Sequence, residues 1–558
     1  MAKMTGSRFI AQTLKGYGVT TVFHVPVVLD GALVEMEALG IKRVLCHTEK
    51  AAAYMADGYA RASRKPGIAL AQSVGAANLA AGLQDAYLAL SPVIAITGRW
   101  PPLYQYRHAY QEINHWPLYE PVTKFNAYVD TVQDIPIVLR QAFREATSGA
   151  PGPVHLDVLG LTGNLATDPE ADLEVVIEEP FTGYPAFRPE PAAESIQAAA
   201  RRLAEAKRPV LVAGGGVTAS QAGPDLVQIA EMLSIPVATS LNGKGTIRED
   251  HPLSVGVVGT YSRKCANEIV CEADLVLFVG SRTGGQVTRF WQVPKQGTPT
   301  IQMDIDPSEL GRNYPPDVAV LGDAKVTLQR LRAALESHKP VAQWAERAQQ
   351  LVMQWRTEFE PLFESNAEPI RPERLCRELS EFLPSDAILV SDTGHAGIWT
   401  GAMVELTKPN QRFLRCAGSL GWAFPAGLGA KCAMPDRPVI CFTGDGGFWY
   451  HLSELETAAR SGINLVTVVN NNRSLNQCKP DYDHAYRNQT AGNRDELWTF
   501  NDVDFAQLAR SMGAFGVRVE RSTEIRGALE QALASGRPAV IDVASDINAF
   551  APTAYVPE

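Results

Sequence analysis

Residues 438–472 read PVICFTGDGGFWYHLSELETAARSGINLVTVVNNN. An apolar run of strand length is followed by a Gly-rich turn, a helix-spaced pattern and a second apolar run. A helical crossover between two apolar strands makes them parallel neighbours, so their carboxyl ends lie side by side. The same alternation recurs along the chain. TTVFHVPV, RVLC, GIALAQS, SPVIAITG and GPVHLDV read as strands in the first third. RPVLVAGGG, SIPVAT, ADLVLFVGS and PTIQMDID follow, then AILVSDTG, PVICFTGDGG, INLVTVV and RPAVIDVAS. This rhythm specifies an α/β protein with doubly wound parallel sheets.

The 558 residues exceed one domain, since about 150 residues is a usual domain length. Three units are expected: 1–166, 193–336 and 366–558. A proline-rich, polar linker at 167–192 separates the first two, and a helical connection at 337–365 the last two. The first and third units share a similar rhythm. A net charge of −10 with no basic run argues against nucleic acid or an anionic membrane as partner. No apolar stretch reaches the roughly 20 residues of a membrane helix. The N-terminal MAKMTGSRFIAQTL lacks an apolar signal core. The eight cysteines are scattered, with no CxxC pair. These features together predict a cytoplasmic protein without structural zinc.

The turn Gly444-Asp445-Gly446-Gly447 sits where a strand end meets a helix start, a favoured place for phosphate because free N–H groups point outward. An aspartate there repels a bare phosphate unless a divalent cation intervenes, and magnesium bridges carboxylate and phosphate oxygens readily. The next strand ends in Asn470-Asn471-Asn472, a second oxygen source expected to converge on Asp445. A third feature is Glu49, at the junction of the apolar run Val44-Leu45-Cys46 and the alanine-rich helix EKAAAYMADGYARAS. By itself it reads as a first-turn carboxylate favoured by the helix dipole.

GDGG followed about 27 residues later by NNN resembles the thiamine-diphosphate motif. GAANLAAGLQDAYLALSPVIAITG, AYQEINHWPLYEPVTKF, IPVATSLNGKGTIREDHPLSVG, MDIDPSELG and GSLGWAFPAGLGAK extend the resemblance over nearly the whole chain. The sequence is similar to the acetolactate-synthase-like (pyruvate oxidase/decarboxylase) family of thiamine-diphosphate enzymes. The resemblance implies a pyrimidine-binding, a central and a diphosphate-binding domain, in that order. It implies Mg2+ held by Asp445, Asn472 and the backbone carbonyl of Ser474. Glu49 matches the glutamate that hydrogen-bonds the cofactor's aminopyrimidine ring and relays its proton. Leu420 matches the aliphatic residue that props the cofactor in its bent shape, and Gly418 the backbone carbonyl that meets the aminopyrimidine. Gly394 and His395 match a pair that contacts the diphosphate, with Gly444, Gly446 and Gly447 beside them. Asn78 falls near the pyrimidine, and Gln111 faces the reacting centre. Active sites in this family lie between subunits, which implies a homodimer or homotetramer.

The chain also departs from the family. FHVPVVLDG stands where relatives carry a Gly-rich FGxPGG, which puts His24 forward as an acid/base and predicts that Val27 and Val28 narrow the site. Gly284-Gly285-Gln286 replaces residues that accompany flavin, which argues against FAD. Gly214-Gly215-Gly216 leaves room for a nucleotide or the ADP part of coenzyme A. The long polar segment 473–502 is expected to close over the site, with Arg473, Asn476, Gln477, His484 and Arg487 as recognition candidates, and 99–110 is a second candidate wall. The implied activity is C–C bond formation or cleavage on a 2-oxo acid or related carbonyl compound, as a carboligase, lyase or decarboxylase. A 2-hydroxyacyl-CoA lyase or a cyclic-diketone hydrolase is the alternative, and a non-catalytic cofactor-binding paralogue a remote one.

Overall fold

The computed structural model describes residues 2–335, 342–489 and 492–555. The predicted boundary at 336 and the first residues of the helical connection, 337–341, lie outside the described residues. From Ala342 to Phe363 that connection is helical.

Three six-stranded parallel sheets carry the fold. In the first, the spatial order is Lys42–Leu45, Thr21–His24, Gly67–Ala71, Val93–Arg99, Val154–Leu159, Phe125–Val129. In the third it is Arg412–Arg415, Ile388–Ser391, Val439–Gly444, Val466–Asn471, Ala539–Ala544, Phe515–Val519. Numbered along each unit, both orders are 2-1-3-4-6-5, so the similar rhythm of the two units reflects a shared topology. The central sheet runs Ser254–Val257, Val237–Thr239, Pro209–Ala213, Leu275–Val279, Thr300–Asp304, Val318–Leu321, which is 3-2-1-4-5-6. In such open sheets, ligands bind outside the carboxyl ends of the strands, where the winding reverses. In the third unit the reversal lies between the strands ending at Ser391 and Gly444. Those strands lead into SDTGH and GDGG.

The interdomain stretch 167–192 has more structure than a linker reading allows. Glu170–Leu173 forms a strand that pairs antiparallel with Ala2–Thr5 at the N-terminus. The helix expected after GDGG is two helices, with a turn at Tyr450–Ser453 between them. Among the described residues, no helix is long and apolar enough to cross a membrane.

Six helices place the site: α1 (Glu49–Ser63), α2 (Gly75–Ala89), α3 (His395–Ala402), α4 (Ala423–Ala433), α5 (Asp445–Trp449) and α6 (Glu454–Ser461). The alanine-rich face of α1 is buried against α4 in an apolar core shared by the first and third units. Small residues let the two backbones nearly touch. A Cβ on Gly58 would lie 1.9 Å from the Ala426 carbonyl oxygen, and one on Gly429 1.8 Å from that of Met55. Neither carbonyl has a flexible side chain to move. Gly429→Ala is therefore expected to cost about 1–3 kcal/mol or more through overpacking, read as a lower unfolding midpoint with the sheets retained by circular dichroism.

Candidate active site

The turn after Val439–Gly444 and the loop after Val466–Asn471 meet on the backbone of Ser474. Its N–H donates to Asp445 Oδ2 at 2.9 Å and to Asn472 Oδ1 at 3.1 Å. Its hydroxyl donates to the same Asn472 oxygen at 2.9 Å. Asp445, Asn472 and Ser474 are all buried. Asn471 is taken up elsewhere, donating to Asp542 Oδ1 and the Val503 carbonyl. Asn470 turns a buried Oδ1 with no partner among the described residues. Burial pushes the Asp445 carboxyl up to about 7, against the lowering effect of the Gly446 and Ser474 N–H groups. A carboxylate so desolvated, beside amide and backbone oxygens, forms an all-oxygen donor set that suits a hard divalent cation.

Asp392, which the sequence reading did not single out, ties the neighbouring turns together. It accepts N–H groups from Thr393 (2.8 Å), Gly421 (3.0 Å) and Ala423 (3.4 Å), and the Thr443 hydroxyl (3.2 Å). Burial raises its carboxyl to about 6. The 392–394, 421–423 and 443–447 turns are thereby fixed relative to one another. Gly447 fits only as glycine, since a Cβ would sit 2.8 Å from Thr443 Oγ1 and 3.0 Å from Asp392 Oδ2. A Cβ on Gly446 would press on the Leu475 side chain, whereas Gly444 and Gly418 face open space.

Gly394 (φ +67°) starts α3 in a conformation that favours glycine. His395 Nδ1 meets Asn476 Oδ1 at 2.7 Å, and Asn476 Nδ2 donates to the carbonyls of Ile547 and Ala549. The amide is thus oriented with its oxygen toward the ring, so the Nδ1 proton is the shared one. Burial lowers the His395 pKa. Gly418 donates its N–H to Asp85, and Leu420 is half-buried in the same turn.

In the first unit, Thr48 caps α1 by accepting the Ala51 N–H, which sets Glu49 at the first helical position. Asn78 Nδ2 donates to Glu49 Oε2 at 3.1 Å, and a Cβ on Gly75 would lie 2.5 Å from Glu49 Oε1. The Gly75 and Asn78 turn of α2 therefore closes directly on the carboxylate. Gln111 (φ +62°) has its carbonyl held by the Ser73 hydroxyl, and its Oε1 is buried without a partner among the described residues. His115 fixes Ser73 in turn, with Nε2 at 2.9 Å from the Ser73 carbonyl and Nδ1 at 3.0 Å from Asp157. Burial, with Arg43 and Arg460 nearby, pulls His24 down to about 4, so it is neutral near pH 7.

The expectation for the two valines is half corrected. Val27 is 46% exposed, but Val28 is fully buried in the core of the first unit and cannot narrow a site. The two ends of the 473–502 segment pair with each other. Leu475 N–H donates to the Trp498 carbonyl and Phe500 N–H to that of Arg473. The 99–110 wall projects Tyr106 and Tyr110 outward.

The two halves are braced within one chain by groups that sequence inspection did not single out. Glu454 on α6 accepts the N–H groups of His47 and Thr48, just before Glu49. Asp85 on α2 accepts those of Ala417, Gly418 and Ser419. Arg61 is bidentate on Asp57 and also reaches Asp85 at 3.0 Å. Trp422 Nε1 donates to Asp57 at 2.9 Å. Among the described residues, no hydrogen bond or ion pair joins Glu49 to Asp445 or Asn472.

Three family profiles match the chain in order. "Thiamine pyrophosphate enzyme, N-terminal TPP binding domain" covers residues 4–118, the corresponding central domain 196–331, and the C-terminal TPP binding domain 392–543. The chain is 35% identical to a probable acetolactate synthase large subunit of Methanocaldococcus jannaschii, over 97% of this chain and 92% of that one. It is 31% identical to the acetolactate synthase isozyme 2 large subunit of Escherichia coli, over 97% and 96%. A Corynebacterium glutamicum acetolactate synthase large subunit is likewise 31% identical, over 97% and 86%.

Proposed function

The chain belongs to the acetolactate-synthase-like family of thiamine-diphosphate enzymes, and from that premise we propose that it is a Mg2+-dependent carboligase, lyase or decarboxylase acting on 2-oxo acids or related carbonyl compounds. The observation that carries this is the gathering of Asp445, Asn472 and Ser474 at the carboxyl ends of Val439–Gly444 and Val466–Asn471, beside the reversal of the third sheet. In this reading Asp445 Oδ, Asn472 Oδ1 and the Ser474 carbonyl hold Mg2+. Gly444, Gly446, Gly447, Gly394 and His395 surround the diphosphate. We take the unit boundaries as 1–166, 193–336 and 366–558, and place each site between the first unit of one subunit and the third of another, in a homodimer or homotetramer.

When bound, thiamine diphosphate supplies a carbon nucleophile that adds to a carbonyl and takes up the electron pair of a breaking C–C bond. The chain supplies position and protons. Glu49 exchanges a proton with the cofactor's pyrimidine ring at Oε1, the oxygen that Asn78 leaves free. Gly418 would accept from the same ring through its carbonyl, and Leu420 would pack against the bound cofactor. Gln111 presents its unpartnered Oε1 to a donor on the substrate. His24, held neutral by burial, accepts or returns a proton at the carbonyl end.

Two measurements test this reading. Purified protein with thiamine diphosphate and Mg2+ is offered a panel of 2-oxo acids, and products are identified by mass spectrometry. At least one is expected to be decarboxylated or ligated, and omitting either cofactor should stop it. Failure across the panel, with no acceleration of C2 proton exchange in bound cofactor, would overturn the reading. A sharper probe is Gly75→Ala. The added methyl displaces the end of a flexible glutamate rather than backbone, so folding should survive. Turnover is expected to fall about 10–100-fold, because a misplacement of about 1 Å costs that much. An unchanged rate would put the Glu49 carboxylate elsewhere during turnover.

A further inference from the structure

Beneath the Gln111 loop lies a chain of buried polar groups that the proposed reaction does not use directly. The His115 ring is buried between two acceptors. Its Nε2 is 2.9 Å from the Ser73 carbonyl, and its Nδ1 is 3.0 Å from Asp157 Oδ1. A carbonyl can only accept, so Nε2 carries a hydrogen. A second hydrogen must then lie between Nδ1 and Asp157, because two bare lone pairs do not meet at that distance. Asp157 Oδ1 also accepts the Thr97 hydroxyl at 3.0 Å, as an ionised carboxylate does. The second hydrogen therefore belongs to the ring, which makes His115 an imidazolium. Burial alone favours the neutral form, and it pulls His155, on the far side of Thr97, down to about 3. What opposes burial at His115 is the Asp157 charge. Among the described residues no Lys or Arg lies within ion-pair distance of that carboxylate, and Arg99 is taken by Asp130. The other groups facing the pair are the hydroxyls of Tyr119 and Tyr128, both raised by burial and uncharged near pH 7.

The loop that carries His115 grips Ser73 from two sides. The Ser73 carbonyl takes the His115 Nε2–H, and the Ser73 hydroxyl donates to the Gln111 carbonyl at 2.7 Å. The same Ser73 carbonyl accepts the Ala76 N–H at 3.1 Å, which ties it to the start of α2. Gln111 sits at φ +62°, a conformation that costs a residue with a side chain and persists only where the surroundings hold it. We propose that His115, as a buried imidazolium paired with Asp157, is a positioning residue that acts through Ser73 to hold Gln111 with its Oε1 presented to the substrate. The kinetic part rests on the reading of Gln111 as a substrate contact, whereas the charge on His115 does not.

The first arm of the test needs no turnover. Solid-state 15N spectra of protein labelled at histidine are recorded at about pH 8, above the ordinary histidine range. The His115 ring is identified by the signals that His115→Gln removes or, if that variant does not fold, by those that Asp157→Asn shifts. It is expected to carry hydrogen on both nitrogens in wild type and on one in Asp157→Asn. Hydrogen exchange of the 109–116 amides is expected to quicken about 10-fold in Ser73→Ala, the effect of one lost hydrogen bond. The second arm uses protein loaded with thiamine diphosphate and Mg2+ and a 2-oxo acid that it turns over. Ser73→Ala is expected to lower kcat/KM about 10–100-fold, while cofactor affinity and C2 proton exchange, which reports Glu49, stay as in wild type. Added to Gln111→Ala, the same substitution should cost little more, because both act through one side chain. A bare nitrogen on wild-type His115 at that pH overturns the imidazolium. Additive losses, or slowed C2 exchange in Ser73→Ala, overturn the role through Gln111. If wild type turns over no 2-oxo acid, the proposed function fails, and the spectra and amide exchange still decide the His115 charge and its hold on the loop.

Discussion

Glu49→Gln is expected to lower turnover by about 10²–10⁴-fold, the range for a lost acid–base group, while thiamine diphosphate still binds. Glutamine keeps the shape and one carbonyl oxygen, so Asn78 retains its acceptor. The backbone around it is held by others: Thr48 caps the helix, and Glu454 takes the N–H groups of His47 and Thr48. What the substitution removes is the ability to exchange a proton at Oε1. A carboxylate placed there only for the helix dipole contributes about 0.3–1 kcal/mol of stability and nothing to rate. The two roles thus separate cleanly. Measuring kcat beside cofactor affinity decides between them, and near-wild-type turnover with cofactor bound would sink the relay.

The parts of this fold that are legible in the sequence are those with local causes. Buried central strands are continuous apolar runs, and the Gly-rich turn after Val439–Gly444 marks where α5 starts at Asp445. The convergence of Asp445 and Asn472 follows from parallel winding alone, and both close on one amide. Five strands of the six-stranded sheets escaped notice: Phe125–Val129, Ser254–Val257, Val318–Leu321, Arg412–Arg415 and Phe515–Val519. All five lie at sheet edges. Edge strands are short, and four of these carry polar or exposed side chains, as in RFLR, while the buried SVGV is interrupted by Gly256, so all lack the run that marks a central strand. Asp57, Arg61 and Asp85 escaped for another reason. On α1 and α2 they read as ordinary charged helix positions, and only tertiary packing buries them against loops more than 300 residues away. Asp392 and Glu454 likewise acquire meaning only from the turns they hold. Val28 shows the reverse error: a match by position placed it at the site, while the apolar core of the first unit claims it.

Asp445→Ala is expected to separate binding from folding. Without a cation, the Asp445 carboxyl is a liability, buried so deeply that its pKa rises to about 7. The two hydrogen bonds that Ser474 makes to Asn472 survive its removal. Alanine should therefore leave the cofactor-free protein at least as stable as wild type, because a desolvated polar group with few partners costs free energy. Binding should respond in the opposite sense. Loss of an outer partner of a metal ligand typically costs about 10–100-fold in affinity, so loss of the one charged ligand should exceed 100-fold for Mg2+-dependent retention of thiamine diphosphate. The wild-type unfolding midpoint should rise on adding both cofactors, since ligands stabilise the state they bind. The variant should show no rise. Wild-type protein treated with a chelator should behave like the variant on binding but not on cofactor-free stability. If Asp445→Ala instead lowered stability and kept the ligand-induced rise, the aspartate would be a structural turn residue and the cation site would lie elsewhere.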